Sequence, residues 1–454
     1  MSALNQFGHD LFRILLYRKS GDELLLEQHD QGFALPFVLI PRRTRVAQHI
    51  AEAIRREWNF QTICLFPVGD RLSPAFVVET RDEVSTPPVA GRWLPARSLV
   101  KCDFSAGTDF HTIELATQRF EQYLKGKAAG PFARIGWIRD LISWVGASAA
   151  LLGLHLVGQF QQFNADSTFS LVRFETDGPA LWFKAVGEPN LREYAITLAL
   201  ATCFSPFVPQ IVATREEWNG WLAIEAQGKH PDKKSPQQTW TRIARTLAEL
   251  QIASFGQTLH LLNVGCRDVR LCTLRTLVAP FVEAMSELME RQTKVSPAPL
   301  SRTELLALQV QIEDALSEAE ASEIPSAIGH LDFNPGNIVV NSDRCTFLDW
   351  AEACAGTPFI TLQYLLEYLD RHFECVSKSV VTSAYLGAWG RVLSPTKIAA
   401  AQRLSPLLAA FAFAVRANTW RNSEQTNRAE TARYLRSMTR RMKREADRLV
   451  RRQA

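Results

Sequence analysis

The stretch "HLDFNPGNIVVNSDRCTFLDW", His330 to Trp350, decides how this chain is read. Asp332 and Asn337 stand on a segment whose Asn-Pro-Gly core favours turn geometry, so it reads as a loop. An apolar run follows, and a second aspartate, Asp349, closes what reads as a strand. Taken alone, two aspartates and an asparagine are ordinary loop residues. Their meaning comes from what precedes them.

Upstream, Lys184 sits within the strand-like "ALWFKAVG", and Glu193 follows nine residues later in the helical "NLREYAITLALAT". A lysine in that place can hold nucleotide phosphates if a helix carboxylate keeps it oriented. Phosphoryl transfer also needs a carboxylate to accept a hydroxyl proton and oxygen ligands for Mg²⁺ that neutralise phosphate charge. Asp332, Asn337 and Asp349 offer such oxygens, and hard oxygen donors suit magnesium. The eight cysteines are scattered without a CxxC pair or a zinc-spaced Cys/His cluster, so no thiolate site competes.

Working outward, the segment before Lys184 is strand-rich. "FRILLYRKSGDELLLEQ" gives two strands around Ser20-Gly21-Asp22, and "RVAQHIAEAIRREWNF" gives a helix with Val46, Ile50, Ala53, Ile54 and Trp58 on or near one face. "AFVVET", "GRWLPARSLV" and the helical "FHTIELATQRFEQYL" follow. Trp137, Leu141, Trp144, Ala147 and Leu151 recur at helical spacing after a Gly130-Pro131 boundary and predict interdomain packing. A small antiparallel sheet is expected from "STFSLVRFET", "ALWFKAVG", "PQIVAT" and "GWLAIEA", the last two turning at Asn219-Gly220. From Gly228 onward the pattern is mostly helical. A sheet-rich lobe before a helix-rich one predicts a ligand cleft.

At the lysine, the glutamate, the loop and "FLDW", the chain resembles the aminoglycoside phosphotransferase and choline kinase group, small-molecule relatives of protein kinases. His330, Asp332 and Asn337 fill the group's HxDxxxxN loop, and Asp349 fills its hydrophobic-Asp-Trp strand end. The resemblance runs from about Leu154 to the vicinity of Trp420. It implies Asp332 as catalytic base, Asn337 and Asp349 as Mg²⁺ ligands, Lys184 on the α and β phosphates of ATP, and Glu193 as its partner. His330 is then a structural residue of the loop. The phosphate-covering loop falls in "QFQQFNADSTF", where Asn164, Ser167 and Thr168 supply donors, and the backbone of Glu225 to Gln227 faces the adenine. Where the group carries acids after the strand, this chain has Thr357 and Thr361.

Residues 10–124 resemble a Nudix domain, but only Glu57 occupies a metal-ligand slot; Thr44, Ala53 and Arg56 fill other acidic slots and Val38 the first glycine. One carboxylate cannot build a Mg²⁺–diphosphate site. The expected fold is therefore α+β: a degenerate, α/β/α Nudix-like domain over 1–129, a linker helix over 130–155, a kinase-like N-lobe over 156–228, and a helical C-lobe over 229–454. The expected function is transfer of the γ-phosphate of ATP, with Mg²⁺, to a hydroxyl or amine of a small-molecule acceptor. The resemblance leaves that acceptor open among aminoglycosides, choline, amino alcohols, sugars and macrolides. A nucleotide-binding pseudokinase or sensor is the alternative, and a Nudix-type hydrolase a third.

Reduced thiols and an N-terminus without a basic region before an apolar core predict a cytoplasmic protein. "ISWVGASAALLGLHLVG", from Ile142, is interrupted by Gly146, Gly153 and His155 and reads as a buried or linker helix, not a membrane span. No specific nucleic-acid partner is predicted. The chain is only +4 overall, yet Arg428 to Ala454 carries ten Lys or Arg against three acids. Leu435, Met438, Met442, Ala446 and Leu449 share one face there, so the tail reads as a basic amphipathic helix. Docking on the chain's own helical lobe, arginines over carboxylates, is the expectation; an acidic membrane surface or nucleic acid is the alternative.

Overall fold

The computed structural model describes residues 8–18, 22–42, 44–69, 74–80, 91–126, 130–166 and 168–453; the Ser20-Gly21 turn and Ser167 lie outside them. The chain divides into two compact units, Met1–Tyr194 with Gln210–Glu225, and Ala195–Pro209 with Ala226–Ala454.

In the first unit, β1 (His9–Arg18), β2 (Glu23–His29), β3 (Gly32–Ala34), β4 (Phe37–Pro41), β5 (Thr62–Val68), β6 (Ala75–Thr80) and β7 (Gly91–Pro95) form one mixed sheet. Its helices are α1 (Val46–Trp58) and α2 (Gly107–Leu124). Strand β1 is paired on both sides and reads as a continuous apolar run because both of its faces are covered. Side chains alternate across a strand. Ile14 and Leu16 therefore join the core under α1, while Leu15 and Tyr17 join the core under α2 and α3 (Trp137–Ala150). Helix α1 stops where Asn59 adopts a left-handed conformation and returns its N–H to Arg55.

The layering continues past α3. Strands β8 (Leu156–Ala165), β9 (Phe169–Thr176) and β10 (Leu181–Val186) precede α4 (Arg192–Cys203), which begins in this unit. With β11 (Ile211–Arg215) and β12 (Gly220–Ile224) they make an antiparallel sheet in the order β11-β12-β10-β9-β8. Trp137 and Trp144 pack on Phe183 of β10, and Trp144 also meets Trp218. The tryptophans are thus packing residues, and one apolar core joins both sheets through α3.

The second unit contains α5 (Gln237–Ala253), α6 (Thr258–Asn263), β13 (Arg267–Val269), α7 (Leu271–Glu290) and α8 (Arg302–Ala321). Next come β14 (Ala327–His330), β15 (Ile338–Val340), β16 (Cys345–Phe347), β17 (Ala353–Gly356) and α9 (Phe359–His372). Helices α10 (Lys378–Trp389), α11 (Pro395–Val415), α12 (Ser423–Asn427) and α13 (Ala429–Gln453) complete it. One core gathers α7, α8, α11 and α13; another gathers α5, α9, α10 and the β15–β16 hairpin. Among the described residues, α11 is the one helix long and apolar enough to cross a membrane, and 67% of its most apolar window is buried in these cores.

The basic tail is α13, and its apolar face is used. Leu435, Met442 and Ala446 are buried, with Met438 and Leu449 packed alongside. Arg441 pairs with Glu367 of α9. Other arginines depart from the expected carboxylates: Arg436 donates to the Leu288 carbonyl (3.2 Å) in the last turn of α7, and Arg440 to the Ala298 carbonyl (3.0 Å). Terminal helix carbonyls lack intrahelical donors, so a guanidinium satisfies them as well as it would a carboxylate.

Candidate active site

Lys184 occupies the middle of β10, which is paired by β9 and β12, so its backbone position is fixed on both sides. Its Nζ lies 2.6 Å from Glu193 Oε1, with the carboxylate side chain only 2% exposed. Phe169 and Trp221 place their rings 5.2 and 5.9 Å from the same ammonium. Glu193 stands in the first turn of α4, where the helix dipole favours negative charge. The structure brings this predicted pair together.

The β8–β9 turn is closed by Asp166. Its Oδ1 accepts from the N–H and hydroxyl of Thr168 (2.7 and 2.5 Å) and from the Phe169 N–H (3.1 Å). Asn164 donates its amide to the Phe169 carbonyl (2.9 Å). Thr168 and Asn164 are therefore engaged in shaping the turn, as an Asx motif does. At the end of β12, Glu225 accepts from Arg173 (2.6 Å) and from the Trp182 indole (2.9 Å), and the Arg173 guanidinium holds its carboxyl below the usual range. In the N-terminal sheet region, Glu57 pairs with Arg56 at 2.6 Å on an exposed turn of α1.

In the second unit, Gln227 gives its carbonyl to the Asn341 amide (3.1 Å). Gly228 follows at φ +136°, and a Cβ there would stand 2.4 Å from the Val340 carbonyl oxygen, so only glycine lets the strands approach.

The loop at residues 330–350 is built by alternation. Leu331 and Phe333 are buried in different cores, which leaves Asp332 presented between them. Asn334 caps the following turn by accepting from the Gly336 N–H (2.9 Å) and donates to Asp332 Oδ1 (3.1 Å). Asn337 donates to Asp332 Oδ2 (3.2 Å), and Tyr364 of α9 donates its hydroxyl to Oδ1 (3.1 Å). Both carboxylate oxygens are thus held.

His330 fastens this loop to the segment that leads from β16 to Asp349. It is fully buried; its Nδ1 accepts from the Asp332 N–H (3.1 Å), so Nε2 carries the proton and donates to the Leu348 carbonyl (3.0 Å). Burial lowers its pKa, which favours that neutral form. The Leu348 N–H returns a bond to the Asn337 carbonyl (2.8 Å), placing Asn337 and Asp349 side by side in the backbone. Asp349, two residues past β16, is exposed and has φ +60°, a left-handed conformation. Because the Asn337 amide nitrogen is turned to Asp332, its oxygen faces the other way. One amide oxygen and one carboxylate fit Mg²⁺, which keeps several waters and takes few protein ligands. Among the described residues no group of three or more His, Cys, Asp or Glu side chains forms a closed metal cage.

Sequence reasoning missed several members of the site. Asn334 carries a local signal, an Asx turn before Pro-Gly. Tyr364 carries a weaker one: with Thr361 it makes an i,i+3 polar pair on α9, and the Thr361 hydroxyl accepts from the His330 N–H (3.0 Å). Thr361 thus braces the loop. Arg416, which donates to the Leu331 carbonyl (2.9 Å), carries no local signal. Acids of the helical lobe are held in ion pairs: Glu352 with Arg267 (2.8 Å), Glu367 with Arg441, and Asp370 with Lys378. A cavity of about 510 Å³ lies beside α9, α11 and α13, lined in part by Glu367, Arg403 and Arg441.

A model of the phosphotransferase enzyme family, APH, matches residues 160–394, a little over half of the chain. The span holds Lys184, Glu193, Asp332, Asn337 and Asp349. The chain belongs to this family: it is a small-molecule phosphotransferase of kinase-like, mixed α+β fold. Among solved structures it is similar to a macrolide 2'-phosphotransferase of Brachybacterium faecium (17% identity, 64% of this chain and 97% of that one, TM-score 0.42). It is also similar to an ethanolamine kinase of Plasmodium vivax (14%, 63% and 81%, TM-score 0.41) and a choline kinase of Cryptosporidium parvum (11%, 65% and 90%, TM-score 0.43). No curated protein matches the sequence.

Proposed function

We propose that the chain is an ATP-dependent kinase that phosphorylates a hydroxyl, or an amine, of a small molecule. The acceptor oxygen attacks the γ-phosphorus, its proton passes to the Asp332 carboxylate, and the bond from phosphorus to the bridging oxygen breaks with its electron pair left on ADP. Lys184 binds the α and β phosphates and Glu193 keeps it oriented. Asn337 and Asp349 hold Mg²⁺, which neutralises charge on the phosphates when bound. The β8–β9 turn, with Ser167 and Thr168, covers the phosphates, and the backbone of Glu225 to Gln227 meets the adenine.

The observation that carries this reading is the fixing of Asp332. A general base must be aimed before substrate arrives, and donors from Tyr364, Asn334 and Asn337 restrain both of its oxygens. To test it, the purified chain is incubated with MgATP and a metabolite library while ATP loss and product mass are followed. A phosphorylated product supports the proposal. Tight nucleotide binding with no turnover of any acceptor would point to the pseudokinase reading instead.

A further inference from the structure

Strand β8 is the edge of its antiparallel sheet, and its outer side is not left to solvent. The β5–β6 ladder slips between Cys64 and Phe66, and the β8–β9 ladder slips between Gln162 and Asn164. Strand β5 is likewise the edge of its own sheet, and buried main-chain groups without partners are costly. Cys64 and Gln162 keep their ladder partners, Val78 and Val172, and meet each other across the two edges. The Cys64 N–H donates to Gln162 Oε1 (2.8 Å), and Gln162 Nε2 donates to the Cys64 carbonyl (2.8 Å). Cys64 is fully buried and Gln162 is 5% exposed, so water does not substitute for either bond.

The anchoring extends toward the turn. Ala165 is buried in the same core as Ile50, Ile54 and Cys64. The Arg45 guanidinium, just before α1, lies 5.0 Å from the Phe163 ring, which stacks on Trp182 at 4.8 Å. The turn at Asp166 begins one residue after Ala165.

We infer that the N-terminal sheet region, β1 to α2, is a positioning element for the hairpin that covers the nucleotide phosphates, with Gln162 as its principal positioning residue. The inference rests on the kinase reading above. Protein without the clamp would hold the hairpin correctly only part of the time, and apparent affinity falls by that fraction. Ligand lacking phosphates would not feel the change.

The test uses the full chain. Gln162→Leu removes both bonds at similar size. We expect its KM for MgATP to rise roughly tenfold, with kcat falling much less and adenosine affinity unchanged. Gln162→Glu guards against a folding defect. Its carboxylate can accept from the Cys64 N–H but offers nothing to the Cys64 carbonyl; once protonated it again has one donor and one acceptor. The KM ratio of that variant to wild type should therefore fall toward one on acidification. Lys184→Met separates the two claims. If wild type binds no MgATP, or Lys184→Met binds it as well as wild type, the kinase reading falls and this inference with it. If Lys184→Met is impaired while both Gln162 variants keep the wild-type ratio of MgATP to adenosine affinity, the inference alone is overturned.

Discussion

Replacing Tyr364 by Phe removes one oxygen and little else, because the ring keeps its packing against Phe413, whose centroid lies 5.4 Å away. What is lost is the 3.1 Å bond to Asp332 Oδ1. A hydrogen bond to a charged group contributes about 1.5–3 kcal/mol. Asn334 still reaches the same oxygen and Asn337 the other, and Asp332 is not fully buried, so the lower end applies. Lost as the energy that keeps the carboxylate aimed, about 1.5 kcal/mol lowers the aimed population, and with it kcat, roughly tenfold, with KM for MgATP nearly unchanged. The assay is steady-state ATP turnover with an acceptor from the metabolite screen. Burial first, and then the Asp332 charge, push the Tyr364 hydroxyl up to about 12, so it stays protonated between about pH 6 and 9. The ratio of wild-type to variant kcat should be flat across that range. Equal kcat values, or a ratio that bends with pH there, would refute the role assigned to Tyr364.

Lys184→Met removes the ion-pair partner of a Glu193 carboxylate that is 2% exposed, and should destabilise folding by about 3 kcal/mol; adding Glu193→Gln should recover part of that in denaturant melts. Leu435→Ala should cost about 3 kcal/mol by the same measurement, since Leu435 is fully buried where α13 meets α7 and α11; an unchanged midpoint would mean that the tail helix does not dock in solution. The lowered pKa of His330 means that the folded state binds fewer protons than the unfolded state just below about pH 6.5. Its contribution to stability is present above that pH and is lost as pH falls. Nitrogen-15 spectra should show a neutral Nε2–H ring at pH 7, and a charged ring there would contradict the loop geometry.

The loop, the lysine and its glutamate were legible because each lies within a short stretch whose spacing survives folding. Asp332 and Asn337 are five residues apart and stay in contact. Individual elements of the N-terminal region were legible for a different reason: β1 reads as a short apolar run and α1 carries a clear helical period. Long-range contacts left no such trace. Tyr364, whose i,i+3 pairing with Thr361 is only a faint local sign, reaches Asp332 from 32 residues away; Gln162 reaches Cys64 across 98 and does not differ locally from a solvated side chain. The tail helix shows the intermediate case. Its apolar stripe announced a buried face, but arginine patterning could not distinguish a carboxylate from a main-chain carbonyl such as that of Leu288.

In the proposed mechanism Asp332 takes the acceptor's proton. Asp332→Asn keeps the size of the side chain and removes its basicity, so it isolates that role. The decisive measurement is single-turnover transfer from MgATP to the acceptor by this variant, beside its MgATP affinity from calorimetry. Transfer should fall by about a hundredfold or more, with MgATP affinity within about threefold of wild type, since the base contributes little to nucleotide binding. Transfer at the wild-type rate would contradict this mechanism.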